Sequence, residues 1–176
     1  MKTATYLQCT RPVLEHFGLD PKEIAEAPSA TSRLGNWTMN RICIADRVAY
    51  LFMSDRTYLS FPILEGKESV QFTDLSAFLQ HGVTLLLEGL NVSKLVIATV
   101  IAEFEAVAIA RATDRSTLAM HAAVAADYAH MARGFGGLGT HNLSKAISMV
   151  NGLPRRKLNW STSEEVTLEL LGASAA

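Results

Sequence analysis

Residues 37–53 read WTMNRICIADRVAYLFM. Trp37 to Ile44 and Val48 to Met53 are rich in β-branched and aromatic residues, and the short polar turn Ala45-Asp46-Arg47 separates them. Two such runs around a short turn predict a β-hairpin. A third run, Tyr58 to Leu64, is interrupted by Pro62. Proline cannot donate to a strand ladder, so this strand belongs at a sheet edge. The three strands are expected to be antiparallel neighbours.

Upstream of the hairpin, Tyr6 to Cys9 is a short strand, and Pro12 to Phe17 a short helix stopped by Gly18. Asp20, Pro21 and Glu23 then stand as N-cap, N1 and N3, which predicts a helix of about two turns. Pro28 to Arg33 reads as a loop. Downstream, Leu75, Phe78, Leu79, Leu85 and Leu86 recur at helical spacing. They place a helix from about Asp74 to Leu90, weakened at Gly82 and Gly89 and stopped at Asn91. Ser93 caps a second helix running to about Ala102.

Phe104 to Ala112 fits a helix by its alanines and a strand buried on both faces by its alternation; the strand is preferred. Ser116 to Ala132 is the clearest element. Ala119, Ala122, Ala123, Ala126 and Ala129 cover much of its circumference, which predicts a buried central helix that neighbours approach closely. Gly134 to Gly139 (GFGGLG) reads as a flexible loop and Asn142 to Val150 as a short helix broken by Gly152 and Pro154. Ser161 with Glu164 forms a capping box for a last helix to about Leu171.

These elements give one α+β domain over residues 1–171, a small antiparallel sheet of three or four strands packed by helices, and a frayed tail over residues 172–176. The length of 176 residues suits a single domain. Apolar residues make up 49% and charged residues 19%, with mean hydropathy +0.17, which excludes wholesale disorder. A net charge of -1 disfavours a protein that coats nucleic acid by charge alone. The start, MKTATYLQCTR, has no apolar core of a secretory signal. The most apolar stretch, Leu95 to Ala110, is broken by Glu103 and Glu105, so no membrane span is expected. Cys9 and Cys43 are expected to be buried free thiols. The expected location is the cytoplasm.

Five pieces of the chain carry a resemblance: LQCTRPVLEHFGL in the opening strand and helix, LGNW at Leu34 to Trp37, LFMSDRTYL at the end of the hairpin, TDRS at Thr113 to Ser116, and NGLP at Asn151 to Pro154. In this order the chain resembles an uncharacterised bacterial and plasmid family, domain of unknown function 6933. That family usually shows Asn-Glu-Lys where this chain has Ser54, Asp55 and Arg56. It often has Gly-Ser-Met-Asn where this chain has Ala119, Met120 and His121. The resemblance implies an α+β fold and carriage on accessory genetic elements; it supplies no activity.

Several constellations bear on function. Thr113, Asp114, Arg115 and Ser116 open the long helix, whose unpaired N–H groups can hold an anion that Arg115 would clamp; Asp114 would repel it. Asp114, Ser116 and His121 have the residue types of a nucleophile triad. Five helical residues separate the serine and the histidine by about 500° of rotation, so they do not align. Asp127 and His130 are i,i+3 neighbours suited to a local contact. Gly134, Gly136 and Gly139 match G-x-G-x-x-G by letter, but a helix precedes them and position 159 is Asn, so no dinucleotide cofactor is expected. Glu103 and Glu105 would share one face of a strand with no third metal ligand in view. Arg155, Arg156 and Lys157 with Trp160 are the one basic run beside an aromatic and suit a phosphate backbone or a stacked base.

No catalytic spacing survives. The expected function is a non-enzymatic binding or regulatory module acting on a macromolecule, protein ahead of nucleic acid, with Trp37, Thr113, Arg115, Ser116 and His121 as binding residues and no cofactor or metal. The alternative is a small hydrolase or transferase acting on a phosphate-bearing substrate, centred on Arg115, Thr113 and His121. A deep pocket joining Trp37, Arg115 and His121 would favour the enzyme. The apolar content also predicts a homodimer.

Overall fold

The hairpin is built as strand β2 (Trp37–Ile44) and strand β3 (Arg47–Ser54), paired without a break from Trp37↔Ser54 to Ile44↔Arg47. Its turn is two residues long. Ala45 and Asp46 both take positive φ (47° and 63°), the mirror-image turn whose twist matches that of the strands. β4 (Ser60–Leu64) pairs antiparallel with β3 and lies at the sheet edge with Pro62 in its middle. A computed structural model describes residues 5–173 of the chain.

The sheet has five strands in the order β4-β3-β2-β1-β5. β1 (Thr5–Cys9) lies parallel to both β2 and β5 (Val107–Arg111), with Leu7 opposite Trp37 on one side and Ile109 on the other. The architecture is α+β, but the sheet is mixed, and only β2–β4 are antiparallel. Parallel neighbours need long crossovers and leave no turn signal in the sequence. β5 is a strand, as its alternation indicated. It is an edge strand rather than one buried on both faces, and Ala108 is exposed.

Among the described residues six α-helices cover the sheet: α1 (Arg11–His16), α2 (Leu75–Gly89), α3 (Lys94–Ala102), α4 (Arg115–Phe135), α5 (Thr140–Asn151) and α6 (Ser163–Leu171). Strand alternation divides the core. Leu7, Cys9, Trp37, Met39, Tyr50, Phe52 and Phe61 meet α1, α2 and α3 on one face. Ile44, Ala49, Leu51 and Met53 meet α4 and α5 on the other. Phe52 and Phe61 stack at 5.0 Å, and Trp37 packs against Phe61 (5.9 Å) and Phe104 (6.4 Å).

Four further expectations need correction. The helix after Asp20 does not form. Asp20 makes one turn by accepting from the Lys22 N–H (2.9 Å), and the chain then joins the sheet edge, where the Ala25 carbonyl accepts from the Arg111 N–H (2.8 Å). Backbone pairing at an edge outweighs a weak local helix signal. α4 is buried along one stripe only, through His121, Val124, Tyr128 and Ala132. Ala119, Ala122, Ala123 and Ala126 face solvent, because alanine carries too little apolar surface to dictate a side. Gly134 and Phe135 of GFGGLG are the last two residues of α4 rather than loop: Gly136 closes the helix at φ 70°, Leu138 is buried, and the Asn142 amide donates to the Gly137 carbonyl at 3.2 Å. The last capping box lies one residue further on, with Thr162 and Glu165 bonding each other's backbone N–H (3.1 and 2.7 Å).

Gly172 caps α6 in the left-handed region, while residues 174–176 of the expected tail lie outside the described residues. No helix among the described residues is long and apolar enough to cross a membrane.

Candidate functional site

α2 and α5 stand on either side of β4 and leave a cleft of about 450 Å³ between them. Leu59, Phe61 and Ile63 form its floor; Leu85, Leu86 and Leu90 line the α2 wall, and Leu143 and Ile147 the α5 wall. Leu85 is 53% exposed at the lip. The volume lies within the roughly 300–1,000 Å³ typical of ligand pockets, and the apolar lining is typical too.

Helical spacing builds the walls. Thr140, Ser144 and Ser148 recur every four residues as one hydroxyl ridge of α5, and Leu143 and Ile147 form the apolar ridge beside it, with polar Asn151 at its end. Gly82 lets α2 settle onto the floor: a Cβ there would stand 2.1 Å from the Phe61 ring. Gly89 lines the same wall with open space around it.

Asn151 closes one side. Its Oδ1 accepts from the Ser60 N–H (2.9 Å) and its Nδ2 donates to the Ser60 carbonyl (2.8 Å). The Tyr128 hydroxyl donates to the same carbonyl at 3.0 Å. Two ionisable side chains, His81 and Glu164, reach the lining. Burial raises the Glu164 carboxyl above its ordinary range, with neighbouring Glu165 adding to the shift.

The residues singled out from the sequence fall in three other places. Trp37 is fully buried in the core and out of reach of a ligand. His121 is 2% exposed, with Nε2 at 2.9 Å from the Leu51 carbonyl. A carbonyl can only accept, so this nitrogen carries the proton, and burial lowers the ring's pKa and keeps it neutral. Thr113, Arg115 and Ser116 are exposed at the start of α4, where Asp114 caps the helix by accepting from the Thr117 N–H at 2.7 Å. Trp37, Arg115 and His121 therefore do not line one pocket.

The basic run divides. Arg155 is not a solvated loop residue: its guanidinium pairs with Asp127 at 2.6 Å and donates to the Val150 carbonyl at 3.3 Å. Asp127 thus serves Arg155 rather than His130. Arg156 and Lys157 are exposed, and the Lys157 ammonium donates to the carbonyl and hydroxyl of Ser116. This contact joins the basic loop to the start of α4. Trp160 is 70% exposed and sits at φ 67°, directly after Asn159 at φ 53°, a pair of left-handed residues that is costly for a bulky side chain.

Glu103 lies before β5 and pairs with Arg33 through its backbone N–H (2.8 Å) and guanidinium (3.0 Å), so it forms no acidic pair with Glu105. Cys9 is buried and its thiol is pushed up to about 12, which makes it inert. Cys43 is exposed, contrary to expectation. No cluster of three or more potential metal ligands occurs among the described residues.

Three of the five stretches that carry the resemblance, at Gln8, at Leu34 and Asn36, and at Ser54 and Asp55, meet at one corner of the sheet. Ser54 donates to the Leu34 carbonyl (2.6 Å), Asn36 accepts from the Tyr6 N–H (3.2 Å), and the Gln8 amide reaches the Asp55 carboxylate (3.4 Å). Gly35, at φ 79°, makes room for that carboxylate. Burial pushes the Asp55 carboxyl up to about 6.

The cleft was missed in the sequence. Gly82 and Gly89 read there as weaknesses of a helix, yet both lie on the cleft wall. Residues 6–166 match the family described as Domain of unknown function (DUF6933). No curated protein and no solved structure matches the chain.

Proposed function

The chain belongs to the family described as Domain of unknown function (DUF6933), and we propose that it is a non-enzymatic binding or regulatory module that takes apolar side chains of a protein partner into the cleft between α2 and α5. The single observation that carries this reading is the cleft itself, about 450 Å³ and apolar on three sides, with Leu85 left exposed at its lip. An exposed apolar recess rimmed by polar groups is the usual mark of an interaction site. The resemblance to a bacterial and plasmid family supports placing the module in the cytoplasm, as part of an accessory genetic element. A second copy of the chain is a further proposed partner, supported by the small-residue face that α4 turns to solvent at Ala119, Ala122, Ala123 and Ala126.

A nucleic-acid reading has one observation of its own. Lys157 bridges to Ser116, so Arg115, Arg156, Lys157 and the exposed Trp160 belong to one surface. Base stacking on such an aromatic contributes about 1–3 kcal/mol. The cleft ranks ahead because this surface also carries Asp114. The reading as a hydrolase or transferase finds less support, since neutral, buried His121 cannot reach a substrate held by exposed Arg115.

Capture from extracts of the native host tests the order. Wild type, Ser144→Trp and Arg156→Ser/Lys157→Ser serve as baits, with folding checked by circular dichroism. Partners lost only with Ser144→Trp, which fills the cleft, support the proposal. Partners lost only with the basic-loop variant overturn it.

A further inference from the structure

We infer that the occupant of the cleft is a basic amphipathic helix, with two turns of apolar side chains laid along the groove and a lysine or arginine turned toward α6. This rests on the cleft as the partner site and adds the occupant's conformation and charge.

The form follows from the floor. An extended segment would have to add to the free edge of β4. Strand alternation puts the outward N–H positions of that edge at Ser60, Pro62 and Leu64. Asn151 already occupies both backbone groups of Ser60, and proline has no N–H. One donor of three remains, which is too few for strand addition. A helix satisfies its own backbone and asks nothing of that edge.

The length fits as well. Lining residues run from His81 on α2 to Leu90 at its C-cap, and from Thr140 to Asn151 on α5. At about 1.5 Å per residue these walls are about 13 and 16 Å long. Anchors at i, i+4 and i+7 of a docked helix span about 10 Å.

The charge follows from α6. Its sequence, SEEVTLELL, carries Glu164, Glu165 and Glu169 and no lysine or arginine. Glu165 is engaged in the capping box with Thr162. Glu164 reaches the cleft lining, and among the described residues it has no hydrogen-bond or ion-pair partner. A half-buried carboxylate beside an apolar recess gains from a cation and repels an anion.

Two synthetic peptides test this. Both are alanine-rich helices with leucine at i, i+4 and i+7; the flanking polar positions are all lysine in one and all glutamate in the other. Binding is read by fluorescence anisotropy at matched salt. The lysine peptide is expected to bind about tenfold tighter, a difference of about 1.4 kcal/mol. Glu164→Gln should remove most of that preference and Glu164→Lys should reverse it, both with unchanged circular dichroism. Glu23→Lys, on a remote loop, should leave the preference intact. Equal binding of both peptides by wild type, or a preference that Glu164 variants do not alter, overturns the inference and leaves the cleft reading standing. Binding of neither peptide overturns both.

Discussion

The side-chain amide of Asn151 grips both backbone groups of Ser60, accepting from its N–H at 2.9 Å and donating to its carbonyl at 2.8 Å. The residues are 91 positions apart. The amide behaves as one residue of a sixth strand, so it ties the last residue of α5 to the floor of the cleft. It also blunts the sheet edge, which would otherwise invite pairing with another chain.

Asn151→Ala should therefore cost more than an ordinary buried polar truncation. It strips the N–H of a buried strand residue of its partner and removes one of two donors from the carbonyl. About 2–4 kcal/mol of stability should be lost, read as a lower urea midpoint at an unchanged slope. A loss below about 1 kcal/mol would mean that the edge finds another partner.

Gly82→Ala and Gly89→Ala should differ in sign. A Cβ at Gly82 would stand 2.1 Å from the Phe61 ring, whereas at Gly89 it meets nothing within 4 Å. Overpacking outweighs the gain in helix propensity at Gly82, for a net loss of about 1 kcal/mol. Gly89→Ala should gain about 0.5 kcal/mol. Thermal denaturation of the two variants side by side checks the contrast.

Arg155→Ser should destabilise by about 2 kcal/mol, because it leaves the half-buried Asp127 carboxylate unpaired. Arg156→Ser and Lys157→Ser should each stay within about 0.5 kcal/mol. A double-mutant cycle with Asp127→Ala should return most of the Arg155 effect as coupling. The three basic residues are adjacent in sequence, yet only one holds the fold together.

Asp55 gives a pH signature. Burial raises its carboxyl from 3.8 to about 6 in the folded chain. The folded state therefore binds the proton more tightly than the unfolded one. The stability this contributes is fully present below the unfolded value and is lost as pH rises through about 6. Buried His121, with its pKa lowered, acts in the opposite sense, so the comparison must be with a variant. Relative to Asp55→Asn, wild type should lose about 1 kcal/mol between about pH 4 and about pH 7.5, allowing for the partial exposure of Asp55. Parallel curves for the two proteins would contradict the assignment.

The elements of this fold were legible wherever local chemistry decides them. The hairpin, the edge strand marked by Pro62, the Ser93 cap and the helices around them stand close to where the sequence puts them. The partnership of β1 with β2 and β5 was not legible, because Leu7, Trp37 and Ile109 meet only through long crossovers. Nor was the cleft. Its walls come from α2, α5 and α6, and residues such as Leu85 and Ile147 carry no mark that separates lining from core. Asn151 stood out only as a letter in the NGLP unit, and its bond to Ser60 gives that letter a physical reason. Trp37 and His121 drew attention by residue type, and both turned out to be core side chains.

Amide chemical shifts of the ¹⁵N-labelled chain, followed while the leucine–lysine peptide is titrated in, test the cleft most directly. The account predicts saturable shifts at Leu85, Leu90, Leu143, Ile147 and Glu164, lost in Ser144→Trp. Shifts confined to Arg115, Arg156, Lys157 and Trp160, with the cleft residues unmoved, would contradict it.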